Sequence, residues 1–134
     1  MGQDCIFCKI VAGELPSHKV YEDDATLAFL DINPIREGHT LVIPKKHAEN
    51  IFDVSPEDWA RVQETVRKTA IALEHAQGAD GVNMIMNNRE HAGQIVHHAH
   101  VHLIPRHKGD GLKPWPHGEL KDGEAIAERI RAAL

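Results

Sequence analysis

The stretch Val96-His97-His98-Ala99-His100-Val101-His102-Leu103-Ile104 decides how this chain is read. Histidines at 98, 100 and 102 alternate with Ala99, Val101 and Leu103, the two-residue period of a half-buried β-strand. On such a strand the three imidazoles share one face, successive ones roughly 6–7 Å apart, and can converge on a group the size of a phosphate. Ala99, Val101 and Leu103 then pack on the core. A helix would instead pair His98 with His102 at i, i+4 and turn His100 away, a spacing suited to a metal. The β-branched Val101, the apolar Leu103-Ile104 and Pro105 favour a strand that ends near residue 104.

A histidine cluster of this kind suits phosphoryl or nucleotidyl transfer. A neutral imidazole attacks phosphorus and leaves again, splitting one transfer into two easier steps. The middle residue, His100, is best placed as nucleophile. Gln94, after Gly93, is a candidate donor to the scissile phosphate, and His39 and His102 are candidates to stabilise developing charge. Such a nucleophile must present an unprotonated ring nitrogen, so its other nitrogen has to donate to a fixed acceptor such as a backbone carbonyl.

Working outward, 134 residues fit one domain spanning 1–134. A net charge of -5 and a pI near 6.1 argue against a general nucleic-acid or membrane-surface binder. Any phosphate site is therefore local. Met1-Gly2-Gln3-Asp4-Cys5 lacks the charged and apolar regions of a secretory signal, and Ile6 stands where a myristoylation signal wants Ser or Thr. No apolar run is long enough to span a bilayer, and a cytoplasmic location is expected. The two cysteines form Cys5-Ile6-Phe7-Cys8, a spacing that in a reducing compartment suggests a metal site or a redox pair. A tetrahedral zinc site needs two further ligands, which the eleven histidines can supply.

Along the chain, Ile6 to Ala12 reads as a short helix closed by Gly13. His18–Glu22 and Thr26–Leu30 read as a hairpin turning at Asp23-Asp24, and Gly38–Pro44 as a third strand. Ser55-Pro56-Glu57-Asp58 starts a long helix, with Trp59, Val62, Val66, Ala70 and Leu73 as its core stripe and Gly78 as its stop. Val82–Met86 reads as a strand leading into the polar turn Asn87–Gln94. Residues 106–123 read as a long loop, and Ile126, Ile130 and Leu134 predict a short C-terminal helix. Hairpin-joined strands with one long helix predict an α+β domain on an antiparallel sheet.

The run His98-Ala99-His100-Val101-His102-Leu103-Ile104 resembles the histidine triad motif, three histidines separated by single apolar residues. The likeness extends through Cys5-Ile6-Phe7-Cys8-Lys9-Ile10, Phe29-Leu30-Asp31-Ile32, Gly38 to His47, and Ala92-Gly93-Gln94. The chain is similar to the nucleotide-binding histidine triad hydrolases and transferases, in the small bacterial branch that resembles nucleoside phosphoramidases. That resemblance implies a homodimer and a covalent nucleotidyl-histidine intermediate on His100, with His39, His98 and His102 completing the cluster and Gln94 beside the phosphate. It implies a ribose contact from Asp31, a purine pocket walled by Ile6, Phe7, Phe29, Leu30 and Ile32, and Asn87 on the phosphate side. It also implies a structural zinc on Cys5, Cys8, His47 and His98. The resemblance assigns no role to His97, which faces away from the triad on a strand, nor to the loop 106–123.

The expected activity is cleavage of a purine nucleoside monophosphate from its leaving group, with adenosine 5'-phosphoramidates as first choice. Dinucleoside polyphosphate hydrolysis differs only in the leaving group. A regulatory module that binds a purine nucleotide without turnover is the alternative from another class, and a catalytic metal site made from the histidines and cysteines is a third reading.

Overall fold

The computed structural model describes residues 4–134, so what the sequence suggests at Met1-Gly2-Gln3 lies outside the described residues. The fold is α+β: one antiparallel sheet with helices on both sides, in the order β1-β2-β3-β5-β4. The strands are β1 (Lys19–Glu22), β2 (Thr26–Leu30), β3 (Thr40–Pro44), β4 (Gly81–Ile85) and β5 (Val101–Arg106); the helices are α1 (Ile6–Val11), α2 (Pro56–Gln77) and α3 (Gly123–Ala133).

Alternation along the central strands divides the core in two. Ala28, Val42, Val101 and Leu103 face α2 and pack against its Val62, Val66 and Leu73, with Trp59 and Ala70 at the margin. Leu27, Phe29, Leu41 and Ile43 face the other way, where Phe7 of α1 covers them. His102, between Val101 and Leu103, therefore belongs to the α1 side. A buried hydroxyl pair, Thr26 to Thr65 at 2.7 Å, ties β2 to α2.

The long helix starts and stops where its sequence says. Ser55 accepts from the backbone N–H of Asp58 at 3.1 Å, Pro56 takes the first helical position, and Gly78 ends the helix with φ 58°. Gly38, leading into β3, has φ 92°, and a Cβ there would meet the Gln77 side chain at 3.0 Å and Pro105 at 3.2 Å. Only glycine lets the turn pass between α2 and β5.

The histidine stretch differs from the expected strand. β5 begins only at Val101, and of the three triad histidines it contains His102 alone. Pairing with β3 covers Val42↔Val101 to Thr40↔Leu103. Ahead of it, Pro44 ends β3, and its carbonyl is taken by the His98 ring at 2.8 Å, while the Ala99 N–H goes to Ala48 at 2.8 Å. Side-chain and loop bonds thus replace the ladder there. At the other end β5 runs past residue 104 through Pro105 to Arg106, paired with β4 alone. That one-sided setting is where a strand tolerates proline. The core residues of this stretch stand as expected: Ala99, Val101 and Leu103 are all buried. The C-terminal helix forms as its periodicity predicts, yet none of its residues is buried, so Ile126 and Ile130 stay exposed.

Candidate active site

Beside the sheet, on the α1 side, lies a pocket of about 600 Å³. Three histidines reach it: His39 just ahead of β3, His100 in the turn before β5, and His102 on β5. Asp31 and Asn87 add polar groups, and Ile6, Phe7, Phe29, Leu30 and Ile32 form apolar walls. Ten residues singled out in the sequence therefore meet in one cavity. Sequence reasoning missed Ile10, Ile35 and Ile95, single apolar residues from separate segments that only the topology brings together. No Lys or Arg is among the residues lining this pocket.

Hydrogen-bond chemistry fixes the protons of the cluster. The Nδ1 of His100 lies 2.7 Å from the carbonyl oxygen of His98. A carbonyl oxygen only accepts, so Nδ1 carries the hydrogen and the neutral ring keeps its lone pair on Nε2. The ring packs edge-on against Phe7, with centroids 5.2 Å apart. Burial holds the His100 pKa below the usual imidazole range, against the pull of the His98 carbonyl.

The same logic orders His39 and His102. The Ile35 backbone N–H donates to His39 Nδ1 at 3.0 Å, so the His39 hydrogen sits on Nε2. That Nε2–H points to His102 Nδ1 at 2.9 Å and lies 3.5 Å from an Asp31 oxygen. His102 is left with its own hydrogen on Nε2, a donor beside the His100 ring, whose centroid is 4.9 Å away. Burial, then repulsion from His100 and His39, lowers His102 to about 4; burial also lowers His39, opposed by Asp31. The other Asp31 oxygen accepts from the Asn33 N–H at 2.8 Å, so the residue makes the local turn and still faces the histidines.

Two expected members stand elsewhere. His98 is fully buried and does not line the pocket, because its Nε2–H is spent on Pro44 and its Nδ1 turns to the cysteines. Gln94 is also buried outside the pocket lining, and its amide is engaged by protein on both ends. Its donors face the carbonyls of Glu49 and Val96, so in this arrangement none is left for a phosphate. His97 is exposed.

Cys5, Cys8, His47 and His98 form a second cluster, their ligating atoms all within 4.8 Å of one another. The His47 and His98 Nδ1 atoms are 3.3 Å apart, and the sulfur to nitrogen distances run from 3.3 to 3.5 Å. A tetrahedron with metal–S of about 2.3 Å and metal–N of about 2.0–2.1 Å has edges of roughly 3.3–3.5 Å between the same atom types. Because His98 Nε2 donates to a carbonyl, its Nδ1 is a free lone pair, the usual second-shell arrangement of a metal-bound histidine. Burial, the Cys5 hydrogen bond and the Cys5 charge push the Cys8 thiol up to about 11, so a thiolate there calls for a cation. The donor set fits zinc, and with four protein ligands it would leave no position open for substrate.

The HIT domain model matches residues 12–109. Among curated proteins, the adenosine 5'-monophosphoramidase hnt1 of Schizosaccharomyces pombe is 40% identical over 134 residues, covering 97% of this chain and 98% of that protein. Among solved structures, a HIT family protein from Bacillus subtilis superposes with a TM-score of 0.91 at 43% identity, covering 98% of each chain. A zinc-bound histidine triad family protein from Mycobacterium smegmatis gives 0.80 at 34% identity, covering all of both chains. With the family model, the fold and most of the length matched, this chain belongs to the HIT, or histidine triad, family.

Proposed function

We propose that this protein is a nucleotide hydrolase or transferase that cleaves a purine nucleoside monophosphate from its leaving group through a nucleotidyl-His100 intermediate. The observation that carries the reading is the bond from His100 Nδ1 to the His98 carbonyl, which keeps the Nε2 lone pair available in a pocket with apolar walls. Nε2 attacks the α-phosphorus while the bond to the leaving group breaks with its electron pair; a leaving amine takes its proton from solvent. Water then attacks phosphorus, the pair returns to Nε2, and the proton of water goes to solvent. The His102 Nε2–H is the donor for a phosphate oxygen as charge builds. Asp31 would accept from the ribose hydroxyls, and Asn87 would flank the phosphate.

A phosphoramidate fits this pocket better than a dinucleoside polyphosphate. Leaving polyphosphate would need cations to offset its charge, and the lining offers histidines held neutral and one carboxylate. The relative from S. pombe, an adenosine 5'-monophosphoramidase by name, supports the same choice. A sensor that only binds nucleotide has no use for a nucleophile with a fixed tautomer.

Zinc on Cys5, Cys8, His47 and His98 belongs to this reading as a structural ion that ties α1 and the loop after β3 to the residues before β5. Thiols held as ligands suit a reducing, cytoplasmic setting. No helix among the described residues is long and apolar enough to cross a membrane. A homodimer, with the chain acting as a single domain, completes the proposal; the exposed Met84 on edge strand β4 leaves apolar surface for it. The test is mass spectrometry after brief mixing with an adenosine 5'-phosphoramidate. A nucleotidyl adduct in the native protein and none in His100→Ala is expected; tight binding with neither adduct nor product would overturn the proposal.

A further inference from the structure

We propose that Gln94 is a positioning residue: its amide clamps the strained backbone of Arg89, and that clamp holds the pocket wall made by Asn87 and Gly93. The inference rests on the pocket being the nucleotide site proposed above.

Gln94 uses its whole hydrogen-bonding capacity within the protein. Its Oε1 accepts from the Arg89 N–H at 2.7 Å and from Asn50 Nδ2 at 3.3 Å. Its Nε2 donates to the Glu49 carbonyl at 2.6 Å and to the Val96 carbonyl at 3.0 Å. A side-chain amide has two lone pairs and two hydrogens to offer, and all four are taken. The backbone partners fix which end is oxygen, because N–H only donates and a carbonyl only accepts.

Arg89 is what the clamp restrains. Its backbone sits at φ 76° and ψ 162°, a region open in practice to glycine alone. A residue with a Cβ stays there only when its surroundings over-determine it. The bond from its N–H to Gln94 does this from one side, while its carbonyl receives the N–H groups of Ala92 and Gln94 at 3.1 Å each. Its guanidinium lies over the Phe52 ring, 4.1 Å from the centroid, and the Ile51 N–H donates to Asn88 at 2.8 Å. The turn 87–94 is thereby stitched to the segment 49–53, with Gln94 as the buried fastening.

The wall of the pocket follows from this stitching. Asn87 and Gly93 both line it, one on each side of the clamped turn. Gly93 has φ 98°, and a Cβ there would sit 3.5 Å from Asn87 Nδ2, so the Asn87 amide lies against the backbone of residue 93. Without Gln94, Arg89 relaxes toward an ordinary negative φ, and Asn87, two residues upstream, leaves that contact.

Arg89→Gly, Arg89→Ala, Gln94→Ala and the double variant Gln94→Ala with Arg89→Gly separate the clamp from direct substrate contact. Glycine adopts the residue 89 conformation unaided, so Arg89→Gly is expected to melt above Arg89→Ala; the reverse order overturns the strain. Gln94→Ala is expected to lower kcat/KM for an adenosine 5'-phosphoramidate about tenfold or more, mainly through kcat. The double variant is expected to recover to within about threefold of Arg89→Gly alone. A double variant as impaired as Gln94→Ala would mean that Gln94 touches the substrate, and the proposal falls. Should Gln94→Ala fail to fold, recovery of the fold by Arg89→Gly reads the same coupling. If the native protein turns over no adenosine compound, the function proposed above fails, while the melting order still decides the clamp.

Discussion

His98 and His100 stand two residues apart and turn into different chambers, joined by the bond from His100 Nδ1 to the carbonyl oxygen of His98. The first ring faces Cys5 and Cys8, and the second lines the pocket. A metal holding His98 would thus hold the acceptor that sets the tautomer of His100, the proposed nucleophile. On the proposed function, this would give the cysteine cluster a bearing on turnover without any place for it in the reaction.

Metal removal should consequently act through structure first. The native protein is expected to carry about one zinc per chain, measured by elemental analysis, and chelation is expected to lower its melting temperature. Cys5→Ser should bind less metal, melt lower and no longer respond to the chelator. Activity that disappears on chelation while the melting temperature holds would argue for a catalytic ion and against this assignment.

Asp31 separates turn from chemistry within one side chain. One oxygen receives the Asn33 N–H at 2.8 Å, while the other lies 3.5 Å from His39 Nε2. Asp31→Asn keeps an acceptor for the turn and removes the charge. Losing the proposed charged hydrogen bond to ribose is expected to raise KM about tenfold with little change in melting temperature. An unchanged KM would leave Asp31 as a turn residue only.

How much was legible beforehand depended on whether a signal was local. The caps at Ser55 and Gly78 and the stripe Val62, Val66, Leu73 specify α2 by themselves, and the Cys5/Cys8 spacing marks two of the four side chains that meet in the second cluster. The triad alternation correctly placed Ala99, Val101 and Leu103 in the core. It did not separate His98 from His100, because their divergence comes from Pro44 and Ala48, distant in sequence, which draw the chain off β3. Gln94 reads as a donor next to a phosphate because nothing in its neighbours reveals Glu49 and Asn50, more than forty residues away. A positive φ at an arginine is likewise invisible in a sequence.

Leu103 tests the two-sided core. It is wholly buried between α2 and the sheet, so Leu103→Ala should cost about 2–5 kcal/mol in denaturant unfolding. Leu120→Ala, at a position 86% exposed, should change stability by less than about 0.5 kcal/mol. Equal effects at the two sites would contradict the packing described.

His102 makes stability depend on pH in a stated direction. Its folded pKa, about 4, lies below the ordinary imidazole value of 6.5, because burial and then the neighbouring His100 and His39 disfavour its charge. Between these two values the unfolded chain binds a proton that the fold refuses, so stability falls as pH drops from about 7 toward 4 and flattens below. His102→Asn removes the group from both states, and the slope of unfolding free energy against pH in that window should become shallower. Any acid sensitivity of the Cys5, Cys8, His47 and His98 cluster is common to both proteins, so it cancels in the comparison. Urea midpoints and slopes measured at pH 7 and pH 5 supply the number. Parallel losses in the two proteins would mean that His102 titrates normally in the fold, and the neutral chain from His39 to His102 would lose its basis.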